Sequence, residues 1–275
     1  MKIDSHQHFW RYKPAEFGWI GDNMQLLKKD FLPPDFKPEL ESVGFDGSIT
    51  VQARQCLEET TWLLELASKY EFIKGIVGWV DLCSSEVEKQ LEYFTTDSKF
   101  VGVRHVIHDE PDDNFMNRQD FYNGISLLEK HNLTYDLLIF PKHLSLTTKL
   151  VRKYPNQKFV LDHIAKPNIK EKKYQPWEKD IRVLANQKNV FCKLSGMVTE
   201  ADWYNWNYDD FNYYLDTVFE AFGEDRLMIG SDWPVCTTSS NYKKILSIVL
   251  KYLEKYNIDI QKKILGENCC KFYLE

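Results

Sequence analysis

The chain has 275 residues, 43% apolar, 28% charged and 15% aromatic, a composition of folded globular domains that excludes a disordered, collagenous or low-complexity chain. Its 41 acidic and 35 basic side chains leave a net charge of -6 spread along the sequence, so neither nucleic acid nor a membrane surface is an expected partner. No apolar run approaches the roughly 18 residues of a membrane span, no secretory leader is visible, and Cys56, Cys83, Cys192, Cys236, Cys269 and Cys270 form no CxxC pair, the pattern of reduced thiols in a cytoplasmic protein.

Eight short β-branched or aromatic runs, each ending in polar residues, recur along the chain at 2–9, 46–52, 73–81, 100–107, 134–140, 158–165, 190–195 and 227–232. The first starts at 2 and the last at 227, so the seven intervals average about 32 residues, the length of a βα unit with its loops. Segments of helical period fill the gaps at 57–70, 84–96, 117–131, 143–154, 176–187, 208–222 and 240–256. A closing helix over 258–273 is expected on the exterior or underside. Eight alternations predict a single α/β domain over 1–275, a (β/α)8 TIM barrel, rather than a doubly wound sheet with its five or six repeats. Segment 10–45 holds Pro14, Gly18, Gly21, Pro33, Pro34 and Pro38 with little periodicity and reads as a long loop after strand 1. In a barrel that loop lies at the face where active sites are built.

Polar side chains at the ends of apolar strands carry the chemistry. Strand 1 ends in His6-Gln7-His8; residues two apart on a strand share a face, so both imidazoles can converge on one ion or one substrate. An isolated pair of this kind is as often a hydrogen-bonded pair of ordinary histidines. Strand 4 ends in Arg104-His105, strand 6 in Asp162-His163 and strand 8 in Gly230-Ser231-Asp232-Trp233-Pro234. A carboxylate closing the apolar run before Asp232 costs several kcal/mol unless cations, donors or a metal meet it. Five of the seven histidines stand at or near such positions, leaving His131 and His143 as bystanders. The alternation that aims His163 inward turns Asp162 away, which favours a structural role for Asp162.

The motifs DSHQHFW at 4–10, GVRH at 102–105, LDHIAKP at 161–167, KLSG at 193–196, GSDWPVC at 230–236 and the tail GENCCKFY at 266–273 span the chain. In this set the sequence resembles the amidohydrolase superfamily, specifically the amidohydrolase-2 group of TIM-barrel hydrolases that includes sugar lactonases. The resemblance implies that His6 and His8 line the site, that His163 polarises the scissile carbonyl, and that Asp232 activates the attacking water. Arg104 and His105 would bind substrate oxygens. Gln52, Arg54, Trp79, Asp81 and Lys193 at the other strand ends would contact hydroxyls or anchor loops. Phe9, Trp10, Trp79 and Trp233, with Trp19 above them, would form an apolar floor and rim.

No Lys or Glu ends strand 4 to bridge two metals, which argues against a binuclear centre. His6, His8, His163 and Asp232 could hold one divalent ion, Zn²⁺ first, and a site that works without metal stays open. The expected activity is hydrolysis of a neutral aldonolactone such as L-fucono-1,5-lactone, on a small-molecule substrate, with self-association left open. The competing readings are a metal-dependent decarboxylase of aromatic acids, a hydrolase of a carboxylated ring-cleavage lactone, and a non-catalytic binder on the same scaffold.

Overall fold

The computed structural model describes residues 1–275. One parallel sheet runs in chain order through β1 (Ile3–Gln7), β2 (Gly47–Val51), β3 (Ile73–Gly78), β4 (Phe100–Val106), β5 (Thr134–Leu138), β6 (Phe159–Leu161), β7 (Val190–Leu194) and β8 (Leu227–Ile229). The ends of β1 and β8 meet through the backbone bonds from Asp232 N to His6 O at 2.8 Å and from His8 N to Trp233 O at 2.7 Å. This is the predicted (β/α)8 barrel, and each strand lies inside the stretch read for it.

A helix follows every strand: α1 (Pro33–Ser42), α2 (Leu57–Lys69), α3 (Val87–Phe94), α4 (Gln119–Leu128), α5 (Leu144–Lys153), α6 (Trp177–Ala185), α7 (Asp209–Phe222) and α8 (Tyr242–Leu253). The first corrects the expectation of an unbroken loop over 10–45, which also holds a 3-10 turn at Asp22–Leu27. Pro33 and Pro34 occupy the first turn, where a missing N–H is not needed, and the Asp35 carboxylate accepts from Leu32 N at 2.9 Å. Phe36 and Leu40, one turn apart, are buried. Pro38 inside the helix hides it from a reading that treats proline as punctuation.

The large outer core lies between sheet and helices. A second, inner cluster joins Ile3, Ile49, Val51, Val77, Val160 and Met228 to Cys269, Phe272 and Tyr273. The closing segment, α9 (Ile258–Lys262) and α10 (Asn268–Tyr273), therefore plugs the underside of the barrel. With one end filled, only the opposite end, where the strands finish in their polar residues, can receive a ligand.

Candidate active site

A register shift in the β1–β2 pairing between Asp4 and Gln7 resets the alternation of β1, so that Ile3 joins the inner cluster while His6 and His8 still turn inward. Asp4 fastens this end of the strand: it accepts from Ser231 N at 2.9 Å, His6 N at 3.1 Å and the Tyr242 hydroxyl at 3.0 Å. Burial pushes its carboxyl up to about 6 against those bonds. Gly230 lies against the same place, where an added Cβ would come 2.9 Å from His6 Cβ.

Each imidazole is aimed by what its Nδ1 meets. His8 Nδ1 donates to Val51 O at 2.7 Å, which leaves the Nε2 lone pair free. His163 Nδ1 pairs with Ser195 Oγ at 2.8 Å. The ring of His163 is carried by a run of left-handed residues, His163, Ile164, Ala165 and Lys166, with φ between 48° and 63°. Four such residues, one of them β-branched, cost several kcal/mol at about 1–2 kcal/mol each. Trp177 Nε1 donates to Ile164 O at 2.8 Å and Lys166 Nζ pairs with Glu200 at 2.5 Å to hold the turn. Its effect is to send both His163 and Lys166 into the same cavity.

Asp232, itself left-handed at φ 61°, brings Oδ1 to 3.3 Å from His8 Nε2, 3.8 Å from His163 Nε2 and 3.9 Å from His6 Nε2. Burial opposes its charge, but the imidazoles of His163 and His8 outweigh burial and hold the carboxyl below its ordinary 3.8. Burial lowers His6 and His163 well below 6.5, so both are neutral near pH 7. His6 Nε2 and His8 Nε2 are 3.1 Å apart. His6 Nε2, His8 Nε2 and Asp232 Oδ1 stand 3.1–3.9 Å apart, the edges of a tetrahedral site, roughly 3.4 Å for bonds of about 2.1 Å, and together can hold one divalent ion. His163, expected as a fourth ligand, lies 3.8 Å from Asp232 Oδ1 but groups with His6 and Asp162 instead.

The cavity above them has a volume of about 300 Å³. Of the residues expected to line it, His8, Trp10, Trp19, Arg104, His163 and Asp232 do. His6 lies one layer down, its ring against those of His8 and His163. Five expected substrate contacts are elsewhere. His105 follows inward-facing Arg104 and so points outward, stacked on Phe115 with Nε2 2.6 Å from Glu110. Trp79 faces the same way and donates to His105 Nδ1 at 3.3 Å. Gln52 is bound to the backbone of Arg104. Trp233 packs on Phe31 and Phe36 behind the site, beside Phe9, which is likewise no part of the floor. Lys193 is buried below His6.

The profile of the Amidohydro_2 family, described as amidohydrolase, matches residues 3–274. The chain belongs to the amidohydrolase family. Among curated proteins it is 38% identical to an L-fucono-1,5-lactonase of Burkholderia multivorans over 265 residues, covering 92% of this chain and 89% of the relative. An L-fucono-1,5-lactonase of Burkholderia ambifaria is 33% identical, with 99% and 95% covered. Among solved structures, an amidohydrolase from Burkholderia multivorans with bound Zn superposes with a TM-score of 0.96 at 36% identity, covering 100% of this chain and 99% of that one.

Apart from His108, one of the five histidines near strand ends, and Trp19, the rest of this amidohydrolase's cavity comes from residues that the strand-end pattern does not single out. Asp109 and His108 follow β4, Lys166 follows β6, and Thr199, Glu200 and Trp203 follow β7. Trp19, Met24, Val106, Leu138 and Val235 complete an apolar side. Burial takes His108 down to about 3, and its ring stacks on Phe140 at 4.7 Å.

These protonation states fix a pH profile. With His6 and His163 neutral and Asp232 ionised, kcat/KM is expected to be level from about pH 5 to 8. Asp232 and Asp162 are both held below their ordinary value. The stability they contribute is therefore present above the unfolded carboxylate pKa and lost as pH falls through the folded one, so the loss of activity and of melting temperature that these two groups bring should come only below about pH 4. Initial rates and melting curves across the range check this; an inflection of kcat/KM near 6.5 contradicts the neutral imidazoles.

Proposed function

We propose that this enzyme opens the ring of a neutral aldonolactone, L-fucono-1,5-lactone or a related deoxy-sugar lactone. The observation that carries the reading is an ionised Asp232 facing a cavity in a chain closely related to L-fucono-1,5-lactonases. Asp232 removes a proton from water as the oxygen attacks the ring carbonyl. His163, with the Ser195 hydroxyl donating to Nδ1, carries its proton on Nε2 and donates it in a hydrogen bond to the developing oxyanion. Arg104 adds positive charge beside it. The ring C–O bond then breaks, the protonated Asp232 returns its proton to the leaving alkoxide, and the new carboxylic acid releases one proton to solvent. His6, His8 and Asp232 would hold a divalent ion, with Zn²⁺ suited to the N and O donors, and such an ion supplies positive charge that polarises the carbonyl.

The charges of the cavity favour a neutral lactone over a carboxylated one. Arg104 is spent on Asp162 at 3.1 Å and Gln52 O at 2.5 Å. Lys166 is paired with Glu200, and Arg54 with Glu59 and Glu16. No unpaired cation remains for a second carboxylate. The Lys166–Glu200 pair offers a donor and an acceptor side by side, as sugar hydroxyls require, while Trp10, Trp19, Met24, Trp203 and Val235 provide the apolar surface for a deoxy carbon. The reading describes a small-molecule enzyme of cytoplasmic carbohydrate catabolism.

The test is a proton-release screen over an aldonolactone library, with bound metal measured on the same preparation. Hydrolysis concentrated on 6-deoxy and pentono-lactones is expected; no turnover of any lactone, with CO₂ released from an aromatic acid, overturns the proposal in favour of a decarboxylase. Lys166→Met is expected to raise KM about tenfold through the loss of one charge-assisted hydrogen bond, and to lower kcat as well because the turn under His163 loses its tie to Glu200. Initial-rate kinetics on the best lactone read this directly.

A further inference from the structure

Three buried titratable groups have no place in the chemistry above, and they are linked. Tyr273, at the end of α10 beneath the barrel, directs its hydroxyl at Asp136 on β5, 2.9 Å from Oδ1 and 2.8 Å from Oδ2. Asp136 accepts from Lys193 Nζ on β7 at 2.5 Å. Lys193 also lies 3.1 Å from Asp162 Oδ1 and 3.2 Å from His6 Nδ1. An ammonium has three hydrogens and no acceptor, and the carboxylates of Asp136 and Asp162 take two of them. Lys193, Asp136, Asp162 and His6 are all fully buried.

A lysine there is costly. An apolar side chain would extend the inner cluster that begins directly below, without a buried charge to balance. What the lysine provides is an anchor for the carboxylate that faces His6. His8 and His163 are each aimed by Val51 O and Ser195 Oγ at their Nδ1 atoms. His6 has no such carbonyl or hydroxyl; its Nδ1 faces Asp162 Oδ1 at 3.3 Å, and Lys193 Nζ, 3.1 Å from the same oxygen, fixes that carboxylate in place. The orientation of a donor imidazole by the partner at its other nitrogen is what keeps such a set in register.

We propose that Lys193, braced from below by Asp136 and Tyr273, is the positioning residue for His6, so that the C-terminal helix belongs to the active-site machinery and is more than a plug. The brace passes through hydrogen bonds alone, which allows it to be separated from packing. Tyr273→Phe deletes one hydroxyl and keeps the ring in the inner cluster. Phe272→Leu, its neighbour on α10, which packs on Phe191 at 4.7 Å and edge-on against the Tyr273 ring at 4.7 Å, removes packing and takes no polar atom from the chain of hydrogen bonds.

Two measurements are made on both variants. In the ¹⁵N spectrum of the histidine rings, with His6 assigned by the signal that disappears in His6→Asn, Tyr273→Phe is expected to shift or broaden the His6 resonances and Phe272→Leu to leave them in place. In steady-state kinetics, which rest on the lactonase reading, Tyr273→Phe is expected to lower kcat about tenfold with KM within about twofold, the size found for lost outer partners of such imidazoles. Phe272→Leu is expected to lower the melting temperature with kcat unchanged. A Tyr273→Phe protein that melts lower but keeps its His6 resonances and its kcat has only a structural tyrosine, and overturns the proposal. If the wild type turns over no lactone, the lactonase reading fails while the ring spectrum still decides the positioning role. Should Tyr273→Phe not fold, Asp136→Asn, which keeps an acceptor between Tyr273 and Lys193, is expected to give the same two effects and overturns the proposal if it gives neither.

Discussion

Replacing Asp232 by Asn is expected to lower kcat about 10³-fold while leaving the fold in place. The amide is nearly isosteric with the carboxylate, and its NH2 can donate to the lone pair of His8 Nε2, which lies 3.3 Å from Oδ1. What it cannot do is take a proton from water, and general-base catalysis of this kind is worth about 10²–10⁴-fold. The upper part of that range applies because nothing else on the cavity wall replaces the base. His8 and His163 are the nearest groups, and burial keeps His163 weakly basic. Glu200 and Asp109 stand across the cavity, Glu200 committed to Lys166 and Asp109 to His108. The loss of a depressed-pKa carboxylate removes some native-state stability, so a small fall in melting temperature accompanies the lost rate. Proton-release rates on the best lactone, set beside a melting curve of the same sample, check both. Retention of more than about a tenth of the wild-type kcat removes Asp232 from the role of base.

Much of this site is legible as polar residues closing apolar strands. His8, His163, Asp232 and Arg104 stand out that way, and they line the cavity. The same signal fails where it ignores direction. Arg104 and His105 are adjacent on β4, and a period of two lets only one of them face the cavity; the buried pairing of Arg104 with Asp162 shows which. Lys193 does turn inward, but periodicity carries no information about height inside a barrel, and it stands one layer too low, against Asp136. The KLSG motif therefore points to an important lysine and to the wrong contact.

Other features leave no local mark. Lys166 stands within the LDHIAKP motif, yet what sends it into the cavity is a left-handed turn without a single glycine. Sequence propensity argues against such a turn, and tertiary bonds from Trp177 and Glu200 hold it. Thr199 and Trp203 come from loops whose path depends on the helices they join. The helix Pro33–Ser42 is concealed by three prolines, a residue that tolerates a helix start better than a helix middle. Fold class survives such gaps because eight repeats average over local errors. A site does not, since each of its residues must be aimed individually.

Gly196→Ala is expected to lower kcat about 100-fold, although residue 196 forms no part of the cavity wall. Gly196 has φ +60°, and a Cβ built on it falls 2.4 Å from His163 Nδ1 and 2.5 Å from His163 Cγ. No side chain tolerates that approach, so either the end of β7 or the imidazole must move. The backbone here is constrained on both sides, by Ser195 within the β7 end and by the left-handed turn under His163, whereas the imidazole is tethered by one hydrogen bond to Ser195 Oγ at 2.8 Å. The ring yields, that bond is lost, and a displacement of about 1 Å at a reacting group costs about 10²-fold. Left-handed alanine adds about 1–2 kcal/mol of destabilisation of its own, about 5 °C in a chain of this size. Gly44→Ala separates the two effects. Gly44 is also left-handed, at φ +71°, but has nothing within 4 Å of the position a Cβ would take, so the variant should melt lower to a similar extent with kcat intact. If Gly196→Ala matches Gly44→Ala in both measurements, His163 does not need the space that this glycine leaves, and its placement by Ser195 and the left-handed turn is not what sets the rate.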